Sequence, residues 1–129
     1  DLAQMKDVIA KRKQGFCVLS GDDGITMDLI EAGGDGVVSV ASNIVPDKMA
    51  EMVQLGLDGK MDEARKAEKK LTELFRVNFI ETNPIPIKTA LSMLGKCKEL
   101  FRLPMCTLEN EEHRQELVKA LTELGLLDK

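Results

Sequence analysis

Apolar residues recur along this chain at two different periods, and the change of period divides it. From Asp1 to Gln14, Leu2, Met5, Val8 and Ile9 fall three and four residues apart, which places them on one face of a helix. Gly15 closes the stretch, where a helix C-terminus favours glycine. Phe16-Cys17-Val18-Leu19 follows as an unbroken apolar run, the pattern of a strand buried on both faces, and stops at Ser20-Gly21-Asp22-Asp23-Gly24. A short helix is predicted over Ile25–Ala32, closed by Gly33-Gly34. A second β-branched run, Gly36-Val37-Val38-Ser39-Val40-Ala41, comes next. Helix, strand, helix, strand with short connections is the rhythm of a parallel α/β sheet. Ligands of such sheets sit at the C-terminal ends of the strands, here Ser20–Asp23 and Ser42-Asn43.

From Pro46 onward the period is helical throughout. Met49, Met52, Val53 and Leu57 form a stripe over Pro46–Asp58, stopped by Gly59. A longer helix is predicted over Met61–Glu81, with Met61, Ala64, Leu71, Leu74, Phe75 and Phe79 facing inward and a charged, solvated outer face. Asn83-Pro84 predicts the next start: an Asn cap, then Pro at the first helical position, where its missing N–H costs nothing. Ile87, Ala90, Leu91 and Leu94 make that helix's buried stripe, and Gly95 ends it. Lys96–Leu108 reads as irregular. A last helix, capped by Asn110, runs through Leu117, Leu121 and Leu124 to Gly125. The organisation predicted is thus residues 1–45, two strand–helix units, and residues 46–129, consecutive helices.

Composition narrows the chemistry. Eighteen basic and 22 acidic side chains give a net charge of −4, against a nucleic-acid or anionic-membrane partner. No apolar run approaches the ~20 residues that cross a bilayer, and no basic-then-apolar leader opens the chain. Cys17, Cys97 and Cys106 form no Cys-x-x-Cys pair and read as reduced thiols, so the expected location is cytoplasmic. With no Tyr there is no phenol proton shuttle, and with one His no multi-histidine metal site. Asp22 and Asp23 are adjacent acids at a strand end: one caps the following helix, or the pair does acid–base work. Gly33-Gly34-Asp35-Gly36 runs from helix to strand, the wrong order for a phosphate loop, and reads as a C-cap and tight turn. His113 falls in a polar first turn and reads as solvated; Arg102 would hold an anion or a structural hydrogen bond. Schiff-base chemistry needs a buried lysine, but none of the thirteen lies on either predicted strand, and Lys88 reads as a surface position. The residues offer a ligand-facing loop without a complete catalytic set.

Ser20-Gly21-Asp22-Asp23, Gly34-Asp35-Gly36-Val37-Val38-Ser39-Val40, Asn83-Pro84-Ile85-Pro86-Ile87-Lys88 and Arg102-Leu103-Pro104-Met105 resemble, in order and spacing, the C-terminal part of the dihydrodipicolinate synthase family. The related sialic-acid lyases show Tyr-Asp-Glu where this chain has Gly21-Asp22-Asp23 and lack the Asn-Pro-Ile-Pro segment, which favours the synthase branch. The resemblance implies an α/β fold, the last two strands and helices of a (β/α)8 TIM barrel plus a C-terminal helical extension, mostly helical as a fragment. It implies a lyase of the diaminopimelate route to lysine, condensing pyruvate with aspartate semialdehyde through a lysine Schiff base with no cofactor or metal, in a homotetramer. Carried over, the Val38 main chain contacts pyruvate, Gly21 and Asp22 line the same pocket, and Asn83 contacts the second substrate. Asp23 belongs to the motif without an assigned role.

The family's Schiff-base lysine, relay tyrosines, Gly-Thr-Thr-Gly-Glu motif, entrance arginine and allosteric lysine site find no counterpart here and are expected upstream of Asp1. No catalytic residue is therefore expected within the chain, which alone should be inactive and, its strand edges and apolar faces uncovered, should either repack its helices over the strands or self-associate. Two other readings stand beside this one: a non-catalytic helical interaction module, and a related pyruvate aldolase with another aldehyde partner.

Overall fold

A computed structural model describes residues 1–128. It forms two units, Asp1–Lys69 and Lys70–Lys129. In the first, Asp1 caps helix α1 (Leu2–Lys11) by accepting the Ala3 N–H at 2.9 Å. The helix ends at Lys11, short of the predicted Gln14, because Arg12 turns to an extended conformation. Strand β1 (Leu19–Ser20) leads through a 3-10 turn (Asp23–Ile25) into α2 (Thr26–Glu31). Helix α2 closes at Gly33-Gly34, as the glycine pair predicts. The Gly33 N–H bonds the Ile30 carbonyl (2.9 Å) and the Gly34 N–H the Leu29 carbonyl (2.8 Å), with Gly33 at φ +99°. Strand β2 (Gly36–Val37) lies parallel to β1, pairing Leu19 with Gly36 and Ser20 with Val37. A second 3-10 turn (Ala41–Asn43) precedes α3 (Pro46–Leu57).

Both strands are shorter than the apolar runs suggest. Single bonds extend the ladder on either side, from Asp35 N–H to the Val18 carbonyl (2.9 Å) and from Val38 N–H to the Ser20 carbonyl (2.8 Å). Nor is β1 buried on both faces. Helix α2 packs on the pair and Ser20 is fully buried, but Leu19 is half-exposed and Phe16 is 70% exposed, with Cys17 exposed beside it. A two-stranded sheet covered from one side leaves alternate residues in solvent.

Met27, Leu29 and Ile30 of α2 pack with Ala41, Ile44, Val45, Met49 and Met52 to form the core of this unit. Gly56 sets the approach of α3 to α2: a Cβ there would lie 3.2 Å from Ile30 Cγ2 and 3.3 Å from Met27 Sδ. Gly56 is buried and Leu57 half-exposed, so the predicted stripe is shifted by one residue at its end. Arg12 pairs with Asp35, and Arg65 with Asp28, Glu31 and Glu68.

The unit boundary falls within helix α4 (Met61–Val77), which stops before the predicted Glu81 and leaves Phe79 half-exposed. In the second unit, α5 (Ile85–Met93) packs on α6 (Glu111–Glu123) over Leu71, Leu74, Phe75, Ile87, Leu117 and Leu121. Asn83 does not cap α5. The first helical residues are Ile85 and Pro86, so Pro86 rather than Pro84 takes the first-turn position where no N–H is missed. Asn110 does cap α6, accepting the N–H groups of Glu112 (2.9 Å) and His113 (3.3 Å). The irregular segment between α5 and α6 is tied to both by Glu99, which accepts Thr89 Oγ1 at 2.9 Å and Arg114 Nη2 at 2.7 Å. Among the described residues no helix is long and apolar enough to cross a membrane.

Candidate functional site

Parallel pairing brings the C-terminal ends of β1 and β2 to one end of the sheet, and with them Gly21, Asp22 and Val38. Each loop there is held by its own side chains. Ser20, fully buried, donates its hydroxyl to the Asp22 carbonyl (2.6 Å) and accepts the Asp22 N–H (3.1 Å). Thr26 Oγ1 donates to the same carbonyl at 2.9 Å. The Asp22 carboxylate accepts the Gly24 N–H at 2.8 Å and caps the 3-10 turn, so of the two acids it is Asp22 that caps. In the second loop Ser39 and Ser42 bond reciprocally: Ser42 N–H to Ser39 Oγ (2.8 Å) and Ser42 Oγ to the Ser39 carbonyl (3.1 Å). Asn43 Nδ2 donates to the Val40 carbonyl at 3.0 Å.

Asp23 behaves differently from its neighbour. It is 1% exposed, and its Oδ2 accepts the N–H groups of Val40 (3.1 Å) and Ala41 (2.8 Å), joining the loop after β1 to the loop after β2. Its Oδ1 is buried with no hydrogen-bond partner. Nothing in the Asp-Asp pair itself separates the two fates. The one available signal is periodic, since Asp23 stands three, four and seven residues before the buried Thr26, Met27 and Ile30.

Val38 is 67% exposed, and its N–H is taken by Ser20, which leaves its carbonyl as the main-chain group open at the sheet end. Gly21 and Asp22 are also exposed. An open groove beside β2 is lined by Val37, Ser39, Ser42, Pro46, Met49 and Val53. Asn83 lies exposed in the turn before α5, within the second unit.

None of the described lysines lies on β1 or β2. Lys88 is half-buried, against the surface position expected: its ammonium donates to the Leu100 carbonyl and stands 5.0 Å over the Phe101 ring. His113 is not freely solvated, because its Nδ1 lies 2.8 Å from Glu81 Oε1 across 32 residues of chain. Arg102 is exposed. Among the described residues no group of three or more His, Cys, Asp or Glu is placed to hold a metal ion. The resolved shifts in ionisation lie away from the sheet end. Hydrogen bonds that Arg65 donates to Asp28, then to Glu68 and Glu31, raise its pKa against the opposing effect of burial. Glu73 and Glu116 raise that of Arg76, which in turn lowers that of Glu73.

Comparison with known proteins places this geometry. A 4-hydroxy-tetrahydrodipicolinate synthase of Methanocaldococcus jannaschii is 45% identical over 127 residues, covering 98% of this chain and 43% of its own length. The crystal structure of dihydrodipicolinate synthase from Aquifex aeolicus superposes with a TM-score of 0.94 at 38% identity, over 98% of this chain and 43% of that one. The chloride-inhibited dihydrodipicolinate synthase of Acinetobacter baumannii, crystallised with pyruvate, matches with a TM-score of 0.93 at 33% identity over the same shares. The chain spans less than half the length of the curated relatives it matches. The model of the dihydrodipicolinate synthetase family matches residues 1–124, and with that match, the parallel strand pair and the superposition in agreement, the chain belongs to that family.

Proposed function

We propose that these residues form the last two strand–helix units (1–45) and the barrel-closing and C-terminal helices (46–129) of a (β/α)8 synthase that condenses pyruvate with aspartate semialdehyde. The observation that carries this reading is the sheet end itself. Two parallel strands deliver Gly21, Asp22 and an exposed Val38 to their C-terminal ends, where barrel enzymes keep their substrates. The Val38 main chain contacts pyruvate, Gly21 and Asp22 line the same pocket, and Asn83 contacts the aldehyde substrate.

A Schiff base forms when a neutral lysine amine attacks the ketone carbon of pyruvate and water leaves. The enamine drawn from that imine then attacks the aldehyde carbon. The described lysines are all off the strands, and Lys88 is engaged with Leu100 and Phe101. The amine is therefore assigned to residues outside these 129, which taken alone are inactive. In the complete enzyme these residues hold substrate and contribute to a homotetramer. Taken alone, they self-associate through the exposed Phe16, Leu19 and Val38.

Borohydride trapping tests the assignment directly. Incubated with pyruvate and borohydride, the 129-residue chain is expected to keep its intact mass, while the complete protein gains one reduced pyruvate-derived group. An adduct on the chain alone would place the nucleophile within it and overturn the assignment. No adduct on the complete protein would overturn the Schiff-base reading.

A further inference from the structure

Among the described residues Asp23 is the one acid or base that is buried, at 1% exposure. Keeping a carboxylate out of water is costly unless hydrogen bonds replace its hydration, and here only one oxygen is served. An apolar residue of similar size would fill the position without that cost, so the carboxylate must contribute something packing does not.

What it contributes is visible in the bonds on either side of Ser39. Upstream, the Val38 N–H is fixed to the Ser20 carbonyl (2.8 Å); downstream, the Val40 and Ala41 N–H groups are fixed to Asp23 (3.1 and 2.8 Å). The intervening peptide, whose oxygen is the Val38 carbonyl, is therefore held at both ends against the loop that follows β1. Packing does not hold it, because the Val38 side chain is 67% exposed. The Ser39 hydroxyl and carbonyl are both occupied by Ser42.

We propose that Asp23 is a positioning residue: its buried carboxylate locks the Val38–Ser39 peptide in register with Gly21 and Asp22, so that the Val38 carbonyl meets pyruvate. The inference rests on the functional reading above and adds a residue that acts without touching substrate. Because the clamp aims one contact to one substrate, its loss weakens pyruvate binding selectively and leaves the aldehyde contact alone.

The test uses the complete enzyme with Asp23→Asn and Asp23→Ala, each compared with wild type at a temperature where far-UV circular dichroism shows all three folded. Asparagine keeps one acceptor oxygen without the charge; alanine removes both oxygens. The pyruvate KM is expected to rise about threefold in Asp23→Asn and about tenfold or more in Asp23→Ala, with kcat and the aldehyde KM within about twofold of wild type. Amide hydrogen exchange at Val40 and Ala41 should quicken in the same order. A merely structural role would lower the fraction of active enzyme and the melting temperature while leaving the pyruvate KM where it was, and that result overturns the proposal. Equal rises in both KM values, showing general distortion, overturn it as well. Should Asp23→Ala not fold, Asp23→Asn decides alone, an unchanged pyruvate KM counting against the clamp. A wild-type enzyme that neither condenses nor traps pyruvate marks failure of the functional reading; a normal wild type with unmoved variants marks failure of this inference.

Discussion

Two glycines in the first unit invite the same substitution and should answer it differently. A Cβ at Gly34 would stand 2.5 Å from Leu29 Cγ, 2.7 Å from its Cδ2 and 2.9 Å from its carbonyl oxygen. Leu29 is fully buried and cannot swing aside, and its carbonyl is the one that receives the Gly34 N–H at 2.8 Å. Alanine here must push the end of α2 away from the start of β2. Overpacking of this kind costs roughly 1–3 kcal/mol, and backbone involvement puts Gly34→Ala at the upper end. At Gly56 the nearest atoms are Ile30 Cγ2 at 3.2 Å and Met27 Sδ at 3.3 Å, both side-chain atoms, one on a flexible thioether. Ala also favours helix over Gly by up to about 1 kcal/mol, which offsets the tight contact, so Gly56→Ala is expected within about 1 kcal/mol of wild type.

Urea unfolding of the 129-residue chain at one protein concentration separates the two cases. With no Trp or Tyr the signal must be far-UV circular dichroism. A loss of 2–3 kcal/mol moves the midpoint by roughly 1–2 M at the slopes usual for small domains. The reasoning fails if Gly34→Ala unfolds within about 0.5 kcal/mol of wild type, or if Gly56→Ala proves the costlier change. The same push has a functional side, because Gly34 leads through Asp35 into β2 and so to Val38. On the function proposed above, Gly34→Ala in the complete protein should weaken pyruvate binding more than Gly56→Ala does.

Glu73 should make the acid limb of stability mildly sensitive to Arg76. The Arg76 guanidinium, hydrogen-bonded at 2.7 Å, holds the Glu73 pKa below its ordinary value. That stabilisation is therefore present above the ordinary carboxylate pKa and lost as pH falls through the lowered one. Both side chains are more than 40% exposed, so Glu73→Gln at neutral pH should cost less than about 1 kcal/mol and flatten the acid limb in a urea–pH series. An unchanged acid limb in Glu73→Gln would refute the linkage. In the second unit, Leu121→Ala removes a fully buried side chain and should cost about 2–5 kcal/mol, whereas Leu103→Ala, at a site 92% exposed, should stay within about 0.5 kcal/mol. Similar losses from the two, measured by thermal melts, would contradict the burial assigned to them.

How much could be read from the residues depended on the distance over which each feature is decided. Where a local stop signal sits next to the end, it settles that end: glycines past α2, α3, α5 and α6 carry positive φ and Asn110 caps α6, whereas α1 and α4 stop short of their predicted ends. The order helix, strand, helix, strand and its parallel pairing follow from local period together with short connections, and both are present. The start of α5 is also local but was ambiguous, because Asn-Pro-Ile-Pro offers two prolines for one first-turn position and Pro86 takes it. An apolar run such as Phe16–Leu19 reports that cover is needed without saying which segment supplies it. Within the described residues α2 covers one side, and Phe16 stays 70% exposed.

The least legible features are those whose partners lie far along the chain. His113 stands in a polar turn by every local sign and finds Glu81 32 residues away. Asp22 and Asp23 are chemically identical neighbours, and position after a strand is enough to mark both. What separates them is a pair of N–H groups 17 and 18 residues downstream, one loop over. That asymmetry has a physical basis. A residue meeting substrate must be exposed at a strand end, and alternation with turn residues reveals that much. A residue that aims it must be buried between two loops, where its role is set by the pairing of β1 with β2 and by no spacing within either segment. Gly21, Asp22 and Val38, the proposed substrate contacts, were therefore within reach of a sequence motif, and the clamp proposed for Asp23 became visible only once the two strand ends were side by side.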